Sequence, residues 1–270
     1  LLDDLIIDVG AHNGDDSAFY LHEGYRVVAV EANPVLAASI ADRFRAAVAD
    51  GRLTVLNVGI SDRSGVQTFW INDVNTVWSS FDEVLARRNG SGAHAVPVHC
   101  VRLESILREH GLPHYLKIDI EGHDRICLDS LQPGQCPRYL SSELTHGNGL
   151  IDRLHTLGYR RFKLINQATY TEASPIFENE IPLRALRKLC TLVPAVKRWV
   201  PNGWRIEFDT NARPDYGFPP GSSGPFGEDT FGRWRTKDDV ERRYHDIRER
   251  FVRAGVSLEE CWFDVHATTS

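Results

Sequence analysis

The sequence predicts an α/β fold of the doubly wound, Rossmann-like kind, and three observations carry that expectation. Short apolar runs alternate with helically spaced stretches in the order β-α-β-α-β from Leu5 to Val58. The first run closes on a glycine turn at Gly10, and the second closes on an acid, Glu31. Alternation of this kind implies parallel strands joined by right-handed crossovers.

Leu5 to Val9 is a short apolar run and reads as a buried strand. Asp15 to Glu23 has helical spacing, with Asp15 or Asp16 as its expected cap. Arg26 to Glu31 is a second buried strand, and Pro34 opens a helix expected to run to Asp50. Leu53 to Val58 is a third strand. Val66 to Ile71 alternates like a hairpin strand, Ala95 to Val101 reads as its partner or as another edge strand, and the polar stretch between them, Asn72 to Gly92, is expected to order on ligand binding. A short helix follows from Glu104 to His110. Tyr115 to Asp119, Arg138 to Leu144 and Tyr159 to Ile165 are further core strands, with helices at His123 to Leu131 and Leu150 to Leu157 between them. The last strand is expected at Cys261 to His266.

The intervening stretch is too long for a structureless loop. It contains an apolar-basic helix near Leu183 to Trp199, a Gly/Pro-rich segment from Arg213 to Gly232, and a charged helix from Lys237 to Ala254. The expected organisation is a Rossmann-like core over residues 1–169, an insertion or lid over 170–258, and the last core strand within 259–270. Phe218, Phe226 and Trp234 read either as a mobile cover over an acceptor or as aromatics pinning a surface loop.

Composition bounds the function. With 270 residues, 42% of them hydrophobic and 25% charged, the chain can bury a core without staples. A net charge of -6 argues against nucleic acid as a partner. Five cysteines with no C-x-x-C pair suggest neither a zinc site nor a disulfide framework. No apolar run is long enough to span a bilayer and no secretory leader is visible, so a cytoplasmic location is expected.

Three motifs carry chemistry. In the first, Asp8-Val9-Gly10-Ala11-His12-Asn13-Gly14, glycines let a ligand approach the backbone where a Rossmann-like domain holds its cofactor; a plain tight turn is the alternative. In the second, Glu31-Ala32-Asn33-Pro34, the acid stands 21 positions after Gly10, placed to accept hydrogen bonds from two ribose hydroxyls. The glycine spacing is G-x-x-x-G, with His12 where a pyrophosphate would need room. S-adenosylmethionine carries no phosphate. Its ammonium suits Asp8 and its carboxylate suits the amides of the turn, so the pattern favours this sulfonium cofactor over a nicotinamide one. The third motif, Lys117-Ile118-Asp119-Ile120-Glu121-Gly122-His123, groups three ionisable side chains at a strand tip beside the topological switch point; a helix cap with surface charges is its alternative.

In this order, DVGAHNGDDS, VEANP, VGISDRSG, LKIDIEGHD and SSEL resemble the FkbM-type methyltransferase family over roughly residues 5–165. GSSGPFGED and WFDVHA resemble segments of some members. The resemblance implies a class I methyltransferase fold, a seven-stranded, mostly parallel sheet with an antiparallel last strand and a helical or loop insertion before it. It also implies O-methylation of a sugar or secondary metabolite. Carried over by position, Asp8, Gly10, His12, Asn13 and Gly14, with Ser17 in the following helix, form the cofactor loop. Glu31 holds the ribose, Ala32 and Asn33 lie near the adenine, Ser61 and Asp62 contact its edge, and Asp119 lies near the methyl group. Arg102-Leu103-Glu104 departs from the family's Thr-Leu-Asp, which touches a cap rather than chemistry.

An alcohol acceptor needs its proton removed. The candidates, with Asp119 beside them, are Glu121 and His123, then Glu143 and His146 at the tip of the fifth strand. A divalent metal on Asp119, Glu121 and Glu143 is a lesser alternative, since no tight ligand spacing enforces it. The expected partner is a small-molecule or glycan acceptor. A nicotinamide-dependent oxidoreductase and a catalytically silent binding module remain as competing functions.

Overall fold

The computed structural model describes residues 2–144, 149–167, 170–173, 216–219, 221–253 and 262–270. The expected His146, the helix near Leu183 to Trp199, Cys190 and Cys261 lie outside them. One sheet dominates. β1 (Leu2–Val9), β2 (Arg26–Val30), β3 (Leu53–Leu56), β7 (Pro113–Ile118) and β8 (Tyr139–Glu143) run parallel. β11 (Phe263–Thr268) is antiparallel and lies between β8 and β9 (Arg161–Asn166). These seven strands stand in the order β9-β11-β8-β7-β1-β2-β3, and the two-residue β10 (Thr171–Glu172) adds an edge beside β9. The expected hairpin is a second, three-stranded sheet. In it β5 (Gly65–Asn72) pairs antiparallel with β6 (Ala93–Val101), with the short helix α4 (Glu83–Ala86) in the connection between them, and β4 (Gly59–Ile60) runs parallel to β6.

The two faces of the main sheet differ. On one, Leu5, Ile7 and Val9 of β1, Leu116 and Ile118 of β7, Leu140 of β8, and Val265 and Ala267 of β11 build an apolar layer. Onto it pack α5 (Leu103–His110), α6 (Asp124–Ser130), α7 (Leu150–Leu157) and α8 (Lys237–Arg253). Val240 and Ile247 of α8 are fully buried there, so this part of the insertion is core cover. α5 starts at Arg102 without a side-chain cap; Arg102 instead pairs with Glu104 at 2.6 Å.

The opposite face is apolar on β1 and β2, where α1 (Asp15–His22), α2 (Pro34–Arg43) and α3 (Arg45–Ala49) cover it. Further along it turns polar. Lys117, Ser141, Glu143, His266, Asp264 and Lys163 sit on it by strand register, all buried. The segment around residues 216–236 closes this face. Phe226 stacks on Tyr115 at 4.3 Å with the rings 4° apart, Phe218 meets Phe19 edge-on at 4.8 Å, and Trp234 stacks over Tyr139. Lys163 Nζ donates to the carbonyls of Gly227 and Thr230 and to Thr230 Oγ1 at 2.8–3.1 Å, which satisfies a buried ammonium. The aromatics therefore pin the segment to the sheet; none of the three lines the cleft described below.

Two expectations need correction. The single helix from Pro34 breaks at Phe44 (φ -111°, ψ 33°), whose ring packs against Gly14. Neither Asp15 nor Asp16 caps α1. Gly14 takes that position in a left-handed conformation, and the two acids occupy the first turn, where they complement the helix dipole.

Candidate active site

The cleft opens at the C-terminal tips of β1, β2 and β7, with a cavity volume of about 140 Å³. Its floor is the first glycine turn. Gly10 has φ +84°, and a Cβ there would lie 1.8 Å from the Asp119 carbonyl, so β7 approaches too closely for any side chain. His12, also at positive φ, turns its N–H onto Glu31 Oε2 at 2.7 Å, and the N–H of Asn33 meets Oε1 at 2.7 Å. Glu31 is thus fixed at the tip of β2 by two backbone donors. Burial outweighs them and raises its pKa to about 7.

Lys117 is the main buried cation. Its Nζ stands 3.4–3.5 Å from Asp8, Asp16 and Asp119, one ammonium among three carboxylates. Those carboxylates hold the ammonium's pKa well above the lysine range against the opposing effect of burial. Asp8 is fully buried, accepts from Ser17 Oγ at 2.7 Å, and does not line the cleft. Asp8, expected to meet a ligand ammonium directly or through water, stands behind the lining, and Asp16 and Asp119 are the acids beside it that reach the cleft. Asp16 in turn accepts from the N–H of Ser223 at 2.7 Å, tying the 216–236 segment to the glycine turn.

Of the other expected cofactor residues, Gly10, His12, Asn13, Glu31, Ala32 and Asp119 line the cleft. Gly14, Ser17 and Asn33 stand behind it, Asn33 capping α2 through a bond from the Val35 N–H. Ser61 and Asp62 do not reach it either. Ser61 Oγ is engaged by Gln67 at 2.7 Å, and Asp62 is exposed beside Arg63. The apolar wall there is Ala32, Val58, Ile60, Phe69 and Phe81, with Phe69 and Phe81 edge-to-face at 4.9 Å. The opposite wall was not foreseen. Thr76, Val77 and Ser79, from the stretch expected to order on ligand binding, lie in and beside a 3-10 turn, and Thr76 Oγ1 bonds His12 Nε2 at 2.9 Å. Gly221, Ser222 and Trp262 complete the lining.

Beyond Asp119 the site is acidic. Glu121, at φ 49°, lines the cleft and pairs with Arg88 through Oε2; burial and the neighbouring Asp119 raise its pKa to about 7. Glu143 lies behind the lining, and one of its oxygens falls within 4.8 Å of those of Asp119 and Glu121. Burial, then these two carboxylates, push its pKa well up. Asp124 and Asp264 are pushed up in the same way, Asp124 to about 7. His123 begins α6 facing Phe81 at 5.9 Å and does not line the cleft; burial lowers its pKa.

A parallel sheet with one antiparallel strand set between β8 and β9, and a cleft over the β1, β2 and β7 tips, define a Rossmann-like protein of the class I methyltransferase architecture. The model of the methyltransferase FkbM domain matches residues 8–160, more than half of the chain. The chain belongs to this family and is a methyltransferase. Among solved structures it is similar to a precorrin-6y C5,15-methyltransferase from Geobacter metallireducens GS-15, at 15% identity over 64% of this chain and 74% of that one, with a TM-score of 0.31. It is also similar to YjhP from E. coli, at 10% identity over 98% and 83%, with a TM-score of 0.32. No curated protein matches it. No helix among the described residues is long and apolar enough to cross a membrane.

Proposed function

We propose that the chain is an S-adenosylmethionine-dependent O-methyltransferase acting on a hydroxyl of a sugar or secondary-metabolite acceptor. The observation that carries this reading is the sign of the cleft. Asp15, Asp16, Glu31, Asp119 and Glu121 line it against Lys117 alone among the described lysines and arginines. Such a wall favours a sulfonium and an ammonium and repels a pyrophosphate. The residues present fit that cofactor. Glu31 keeps lone pairs for two ribose hydroxyls after accepting from His12 and Asn33. Asp16 and Asp119 suit the ammonium, the N–H of Asn13 suits the carboxylate, and the apolar wall suits the adenine.

When bound, S-adenosylmethionine supplies a methyl carbon already activated for in-line displacement. What remains for this chain is alignment, which contributes roughly 7–11 kcal/mol when it is good, and acceptance of the hydroxyl proton. Glu121 is the best-placed acceptor for that proton. Its carboxylate faces the cleft, and a pKa of about 7 matches a base working at neutral pH. Within this reading residues 1–169 hold the cofactor, and 170–258 shape the acceptor side through Gly221 and Ser222.

Calorimetry with S-adenosylmethionine, S-adenosylhomocysteine and NADH tests the cofactor. Binding of the first two without the third is expected, and heat with NADH alone would sink the reading. Mass spectrometry of a panel of polyol and amine acceptors tests the oxygen specificity, since methyl gain on amines only would exclude it.

A further inference from the structure

We propose that Asp119, Glu121 and Glu143 form a binding site for a hard divalent cation, Mg²⁺ or Mn²⁺, at the inner end of the cleft. One oxygen from each lies within 4.8 Å of the others. An ion holding oxygens at about 2.0–2.6 Å spans such a set with small side-chain adjustments. The donors are all carboxylates, which selects a hard cation over zinc or copper.

Charge and burial give the second ground. Lys117 is shared among Asp8, Asp16 and Asp119, and Arg88 holds only one oxygen of Glu121. Glu143 is 9% exposed, makes no hydrogen bond or ion pair among the described residues, and is aimed at the other two. Its cross-strand neighbour Asp264, 6% exposed, is equally unpartnered among them. A buried carboxylate without a partner is costly. Among the described residues no further cation neutralises this one, and an ion on three oxygens would do so. Three protein ligands leave about three octahedral positions for water and acceptor hydroxyls. The role in methyl transfer rests on the function proposed above; the ion site does not.

The test uses the full chain stripped with EDTA and titrated with Mn²⁺ alone, the free aqua ion being followed by electron paramagnetic resonance. One ion per chain is expected, and Glu143→Gln should weaken it by at least about tenfold, the loss typical of even an outer-shell partner. Glu121→Gln, at a less buried position, should do the same and reports in case Glu143→Gln does not fold. Glu109→Gln, an exposed acid outside the cluster, should change nothing. Folded protein that leaves the free-ion signal intact, or a folded glutamine variant at either position that binds as tightly as the parent, overturns the site. Cofactor calorimetry on the same samples separates the two ideas. Cofactor binding without Mn²⁺ binding removes the ion and keeps the methyltransferase reading, and the reverse removes the cofactor and keeps the ion.

Discussion

Replacing Glu31 by alanine tests the cofactor geometry most directly. In the folded protein both carboxylate oxygens already accept backbone N–H groups at 2.7 Å, so the group cannot swing away from the cleft. Two ribose hydroxyls donating to it make charge-assisted bonds, and losing them, with His12 and Asn33 left unpaired, should cost about 2–3 kcal/mol of binding. At about 1.4 kcal/mol per decade that is a dissociation constant raised about 30- to 150-fold. Glu31→Gln should not rescue it, because its amide nitrogen would face one of the two backbone donors. The pH dependence follows from a pKa of about 7 in the free protein. Binding prefers the carboxylate, so affinity should fall by about tenfold between pH 8 and pH 6 through this group. Stability runs the other way. The folded pKa lies above the unfolded one, so the contribution of this group is fully present below about pH 4.5 and declines as pH rises to about 7. Isothermal titration of parent and variants with S-adenosylhomocysteine at pH 6, 7 and 8 reads all of this. An alanine variant within twofold of the parent at pH 8 would refute the ribose role.

Gly10→Ala places a Cβ against the Asp119 carbonyl in a left-handed conformation, and should cost at least about 4 kcal/mol, read as a shifted urea midpoint. Lys117→Met leaves the buried carboxylates of Asp8 and Asp16 facing the half-buried one of Asp119. It should lose about 3–5 kcal/mol at pH 7 and recover part as pH falls towards 5, because the freed acids then take protons that the unfolded chain does not; a denaturation series in pH checks the slope. Phe226→Ala removes a ring stacked on Tyr115 and should cost about 3–5 kcal/mol, with faster proteolysis within the 216–236 segment than elsewhere. An unchanged cleavage pattern would show that other contacts hold this segment.

Much of the fold and part of the site were legible because they depend on neighbours in the chain. The turn at Gly10 needs residues without side chains or at positive φ within five positions, and Glu31 follows directly from the end of β2. The wall from Thr76 to Ser79 was not legible, since it reaches the cleft only through the packing of a second sheet, and nothing local marks it. The pairing of Asp8 was not legible for a related reason. A strand-end acid can face either a ligand or a buried lysine, and its pairing with Lys117 is a cross-strand fact. The polar face did leave a trace. Lys163 in β9, Ser141 and Glu143 in β8, and Asp264 and His266 in β11 recur at every second position, a period that marks one sheet face. Reading these segments only as strands did not use that period.

The position of β11 has a consequence for assembly. The last strand in chain order is not added at a margin but is threaded between β8 and β9, two strands that do not touch without it. Nascent chain already holding β8 and β9 must therefore keep a slot open, or pair the two directly and later undo the error. Shortening the chain before Phe263 would cut β9 and β10 off from the other strands of the sheet, and a passenger fused close behind Thr268 would have to leave room for an interior strand to dock.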